Sequence, residues 1–127
     1  MRVLALDYGR ARTGVAVSDP TGTIARPVGV VQGADISRIV ELIREHGVDR
    51  VVVGMPLTLR GEIGEQARET QAFIDELEAA SDVEVVPYDE RFTTDLAEQA
   101  ASASAEEDAR AAAHLLTSYL AWASAKA

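Results

Sequence analysis

The run Arg50-Val51-Val52-Val53-Gly54 is apolar without alternation, and it limits the fold more than any other segment. A strand with one wet face alternates apolar and polar residues. One that does not alternate is covered on both faces, which is the position of a parallel strand inside an α/β sheet. The run leads into Met55-Pro56-Leu57, where the chain must leave the sheet. Gly54 permits close backbone approach there and Pro56 stiffens the turn. A buried turn and the border of a substrate channel explain that exit equally well.

The flanking segments supply the rest of the sheet. Residues 2–6, 13–18 and 24–31 read as strands punctuated by Gly and by Asp19-Pro20-Thr21-Gly22, and connections this short make antiparallel neighbours. Asp35 is placed to cap a helix carrying Ile36, Ile39, Val40 and Ile43 at helical spacing, with Gly47 as its stop. A second helix runs from about Glu65 to Ala80, with Ala67, Thr70, Ile74 and Leu77 facing inward. The strand at 83–88 is expected to lie parallel to 51–53, because a helix separates them. One or two alanine-rich helices follow between Thr94 and Ala125. The pattern predicts an α/β fold: a mixed five-stranded sheet, three antiparallel strands then two parallel, flanked by helices. At 127 residues and 47% apolar content, a single domain spanning 1–127 is expected.

Composition narrows the chemistry. There is no cysteine, which removes disulfides, thiolate metal sites and thiol nucleophiles. Two histidines, His46 and His114, leave little for a histidine-rich metal site, and neither is a proposed ligand. Met1 passes straight into a strand and no apolar run approaches a membrane span, so a cytoplasmic location is expected. The net charge of −9 opposes a nucleic-acid partner at first sight. Its distribution softens that objection: residues 1–68 carry nine Arg against eight carboxylates, and residues 69–127 carry three basic residues against thirteen. A phosphate-facing surface belongs on the first half. Arg10, Arg12, Arg60 and Arg68 lie in or beside its loops, where guanidinium groups can hold phosphates or simply be solvated.

Three acidic positions are candidates for one site. Asp7 ends the opening strand before the Tyr8-Gly9 turn, Glu90 follows the strand at 83–88, and Asp108 opens the last long helix. Ligands of open α/β sheets gather outside strand ends, and converging carboxylates hold divalent cations against a phosphodiester. On the helix, Asp108 falls on one stripe with Ala112, Leu115, Tyr119 and Trp122, and so faces the sheet. Each position also has an ordinary explanation. Asp7 suits a turn, Asp89-Glu90-Arg91 suits a local ion pair near a helix cap, and Asp108 with Glu106 and Glu107 suits a helix N-terminus. Only the arrangement of the three carries weight.

The stretch from Asp7-Tyr8-Gly9-Arg10-Ala11-Arg12-Thr13-Gly14 to Asp19 resembles the opening motif of the YqgF family, also called RuvX, a pre-16S rRNA nuclease and Holliday junction resolvase-like group. Val53-Gly54-Met55-Pro56-Leu57 with Gly61 and Gly64, then Asp89-Glu90-Arg91-Phe92-Thr93-Thr94, then Asp108 with Ala111-Ala112 and Leu115-Leu116 match the next three motifs in order. The resemblance covers nearly the whole chain. It implies a ribonuclease H-like fold and metal-dependent hydrolysis of nucleic-acid phosphodiesters, with 5′-end maturation of 16S rRNA as the assigned role. It also implies that Asp7 bridges two Mg²⁺ or Mn²⁺ ions while Glu90, or its neighbour Asp89, and Asp108 each complete one side. One metal would activate water and the other stabilise the leaving oxygen. Arg12 matches the motif arginine, as a structural group or a phosphate contact. One difference stands out: the basic segment that relatives carry before the acidic helix position is here Glu98 to Glu107, short, alanine-rich and without Lys or Arg.

The reading is a nuclease acting on structured RNA, pre-16S rRNA above all, or on junction DNA, as a monomer or homodimer, with Trp122 suited equally to a dimer contact and to packing on its own sheet. A non-catalytic RNA- or protein-binding factor in ribosome assembly is the first rival. A phosphotransfer protein is the second, since the kinase and actin group also opens with an Asp-x-Gly turn, although 127 residues lack the lobe that would enclose a nucleotide.

Overall fold

The computed structural model describes residues 1–56, 64–89 and 104–126. In order they form β1 (Val3–Asp7), β2 (Arg12–Ser18), β3 (Ala25–Gln32), α1 (Ile36–His46), β4 (Arg50–Met55), α2 (Glu65–Ala80), β5 (Glu84–Asp89) and α3 (Ala105–Lys126). The strands make one sheet in the order β3-β2-β1-β4-β5. β2 is antiparallel to β1 and β3, and β4 is parallel to β1 and β5, as the connection lengths predict. Arg60, Gly61 and the motif Glu90 to Thr94 lie outside the described residues, as does the helical segment expected between Thr94 and 103.

Both faces of the sheet are covered, which is why β4 shows no alternation. Leu4, Leu6, Val15, Val17, Val51 and Val53 pack with Ile39, Leu42 and Ile43 of α1 and with Phe73, Ile74 and Leu77 of α2. Val3, Ala5, Ala16, Val52 and Tyr88 point the other way and meet Ala112, Leu115, Leu116 and Tyr119 of α3. Each fully buried aliphatic side chain contributes roughly 1.5–3 kcal/mol. The small residues Ala5, Ala16 and Ala112 let α3 settle close to the sheet centre.

The helix ends follow the local signals. The Asp35 side chain accepts from the Arg38 amide at 3.2 Å. Gly47 adopts the left-handed conformation at φ 60°, and the Val48 amide returns to the Ile43 carbonyl at 3.0 Å, closing the C-terminus. Arg2 donates to the His46 carbonyl at 2.9 Å, so His46 belongs to the helix end, as its position suggests. In α2 the inward positions Ala67, Thr70, Ile74 and Leu77 are all buried, with Phe73 beside them. Prolines sit on the two edge strands, Pro27 in β3 and Pro87 in β5, where a missing N–H breaks no interior ladder. Val15 pairs with Gly29 and Ala16 with Pro27, leaving Val28 as the extra residue of a bulge.

Two expectations need correction. β3 starts at Ala25 rather than Ile24, which is 67% exposed because its amide is drawn into the Asp19 turn at 2.8 Å. Trp122, placed on the packing stripe by its spacing, is 43% exposed. Trp122 reaches only the edge strand of the sheet, where the indole rests on Tyr88 of β5 and on Tyr119 of its own helix.

Candidate active site at the end of the sheet

Asp7 is the last residue of β1 and pairs directly with Gly14 of β2. Leu4 and Leu6 point toward α1 and α2, so alternation turns Asp7 to the side of Val3 and Ala5, the side covered by α3. Gly14 lies on that same side, in step with Ala16. The first turn of α3 crosses it so closely that a Cβ at Gly14 would stand 2.1 Å from the Asp108 carbonyl oxygen. No other residue type permits that approach. Asp7 and Asp108, from opposite ends of the chain, are therefore both neighbours of Gly14, on one face and at one end of the sheet.

Arg12 completes the group. It lies two positions before Gly14 in β2, on the same face, and its Nε donates to Asp108 Oδ2 at 2.5 Å. Both side chains are partly shielded, Arg12 at 29% and Asp108 at 22% exposure. The turn between β1 and β2 is tight, since a Cβ at Gly9 would meet the Arg12 carbonyl oxygen at 2.5 Å. It is held from outside as well. Tyr8 packs on Phe73 with ring centroids 4.9 Å apart, and Arg10 forms a two-point pair with Glu69, one contact being 2.9 Å. That pair raises the Arg10 pKa and lowers that of Glu69, the hydrogen bond being the main cause in both. Tyr8, Gly9, Arg10, Glu65, Gln66 and Glu69 line a groove of about 530 Å³ beside the site.

The third acidic candidate, Glu90, lies outside the described residues. Its neighbour Asp89 is described and pairs with Met55, whose side chain belongs to the α1 and α2 side. Residues paired across parallel strands share a face, so Asp89 lies on the other face from Asp7. Among the described residues no three acidic or histidine side chains gather around one point. His114 stands off the Ala112 and Leu115 stripe, half-buried. Of the other arginines near these loops, Arg68 is exposed on α2. Sequence reasoning passed over Gly14 as a site-building residue. The available signal was a glycine inside a strand otherwise rich in β-branched residues, a common mark of close approach by another backbone.

The family model for RuvX, described as Holliday junction resolvase, matches residues 1–122. The chain belongs to the RuvX family. Relatives named "Putative pre-16S rRNA nuclease" agree with it over most of its length. The one from Rubrobacter xylanophilus is 50% identical over 73% of this chain and 68% of its own. The one from Chloroflexus aurantiacus is 43% identical over 93% of this chain and 85% of its own. Among solved structures, Thermus thermophilus RuvC in complex with a Holliday junction substrate superposes with a TM-score of 0.64 at 18% identity, covering 98% of this chain and 96% of that one. A ROK hexokinase from Thermus thermophilus gives a TM-score of 0.51 at 23% identity, with this chain spanning 38% of the hexokinase. These likenesses establish the ribonuclease H-like fold for this RuvX-family chain. No helix among the described residues is long and apolar enough to cross a membrane.

Proposed function

We propose that this chain is a metal-dependent nuclease that hydrolyses nucleic-acid phosphodiester bonds, with Asp7, Glu90 and Asp108 as the residues that hold the metal and act at the reacting centre. The observation that carries the reading is the placement of Asp7 and Asp108 on one face around Gly14. Carboxylate oxygens are hard donors, and with no cysteine in the chain the set suits Mg²⁺ or Mn²⁺. When bound, such an ion supplies a polarised phosphoryl oxygen and an activated water. Asp89 lies on the other face, which favours Glu90 as the third ligand.

The protein's own contribution is rigidity. Asp7 sits on a strand hydrogen-bonded on both sides, and Asp108 on a helix seated against the backbone of β2, so neither carboxylate depends on a loop for its place. Arg12 puts a guanidinium group beside Asp108, on the face to which Asp7 belongs. The names of the relatives support pre-16S rRNA, in 5′-end maturation, as substrate, and the RuvC likeness leaves junction DNA as a second one. In this reading the chain is a single domain acting in the cytoplasm.

The test is cleavage of a labelled pre-16S rRNA fragment and of a four-way DNA junction in Mn²⁺, comparing wild type with Asp7→Asn. Loss of roughly a hundredfold or more is expected on removing a metal-holding carboxylate. Equal rates would assign cleavage to another site. Binding without cleavage by the wild type would make the protein a non-catalytic assembly factor.

A further inference from the structure

Resting on that reading, we infer that Arg12 is a built-in counter-ion that occupies Asp108 in the metal-free protein, yields it to the divalent cation, and then turns its guanidinium to the substrate phosphate. A carboxylate meant for a cation gains from a charge-assisted hydrogen bond to a positive partner while the cation is absent. Arg12 fills that need from the same face of β2 that carries Gly14.

The form of the pair suits exchange better than permanent bracing. Arginine and carboxylate frequently meet as a two-point fork, which holds both in place. Here a single donor, Nε, reaches Oδ2, and the terminal guanidinium nitrogens have no hydrogen-bond partner among the described residues. They are the donors that a phosphate would take. At 29% and 22% exposure, both groups remain in touch with water, so separating them leaves neither charge stranded. The neighbouring Arg10 does not substitute, because Glu69 holds it by two points on the far side of the turn.

The exchange sets a direction for metal affinity that a bracing role does not. An arginine that competes with the cation weakens metal binding, whereas one that only anchors α3 protects the site and strengthens it. Mn²⁺ alone, titrated calorimetrically into the full chain, therefore separates the two. Arg12→Gln is expected to bind Mn²⁺ roughly five- to tenfold tighter than wild type, the scale of a partly screened ion pair. Arg12→Lys, which keeps the charge, should stay near wild type. Equal or weaker Mn²⁺ binding by Arg12→Gln overturns the inference. Should that variant not fold, the wild type still decides: the Arg12 Nε–H resonance should move or vanish as Mg²⁺ saturates the Asp108 amide shift, and an unmoved resonance at saturation overturns it. Failure of folded wild type and Arg12→Gln alike to bind Mn²⁺ has a different meaning, since it removes the metal site itself.

Discussion

Gly14 shows how one residue decides how closely two elements can approach. Its missing side chain is the space through which the first turn of α3 reaches β2, and the atom in the way of any Cβ is a main-chain oxygen at 2.1 Å that no rotamer change can move. Gly14→Ala is expected to cost about 2 kcal/mol or more through overpacking. The urea midpoint should fall without change in slope, and cleavage should fall with it as Asp108 shifts. Asp19, in the same motif, works for the fold. Its carboxylate accepts from the Ile24 amide at 2.8 Å, from the Thr21 hydroxyl, and from the Thr23 amide at 2.7 Å, and these bonds, in that order of weight, hold its pKa well below the ordinary carboxylate range. A pKa depressed on folding gives stability that is present in full above the unfolded value of about 3.9 and lost as pH falls below it. Asp19→Asn should therefore be less stable than wild type at pH 7 and converge on it in acid, as read from urea midpoints across the range. Parallel curves would show that the turn bonds contribute nothing. The places of Asp7 at a strand end and of Asp108 in the first turn of a helix were legible, because those are local features. The partner of Asp108 was not, since Arg12 lies at the other end of the chain and nothing in its own neighbourhood announces the contact.

Among the elements, α3 carries the most contrast. Its spacing puts Ala112, Leu115, Leu116 and Tyr119 against the sheet, and they are buried. The same spacing extended to Trp122 keeps it on the sheet side but not buried, because the strand it reaches is the edge strand β5 and the sequence does not mark which strand lies at the edge. Trp122 instead makes tilted ring contacts with Tyr88 at 6.0 Å and Tyr119 at 5.9 Å, under the Lys126 ammonium at 4.8 Å. The larger side chain should then matter less. Leu116, wholly buried, is expected to cost about 3 kcal/mol when cut to Ala. Trp122→Ala should cost only about 1–2 kcal/mol, the worth of exposed aromatic and cation contacts. Thermal or urea unfolding of the two variants checks the order, and a Trp122 loss equal to that of Leu116 would mean that the indole is covered in solution. The helix ends of α1, by contrast, were readable from Asp35 and Gly47 alone, since a cap is completed within a few residues.

At the scale of the molecule, charge and topology act together. The parallel strands β1, β4 and β5 end on one rim, and the antiparallel return of β2 begins there, so Asp7, Arg12 and the start of α3 share it. With a net charge of −9 and carboxylates at that rim, nucleic acid is repelled unless a cation offsets them. Removing divalent ions with EDTA is expected to weaken binding of a pre-16S rRNA fragment about tenfold or more at constant ionic strength. Fluorescence anisotropy with and without Mg²⁺ measures it, and equal affinity would place the RNA on arginines remote from Asp7 and Asp108. The order of strands and helices, the caps of α1 and the doubly covered β4 were determined by the chain alone, because periodicity and capping are written in residues a few positions apart. Which distant residues share that rim was decided only by the tertiary structure. Strand register set Asp7 opposite Gly14, helix packing brought Asp108 onto it, and both are contacts between distant segments whose closeness comes from burying a shared core.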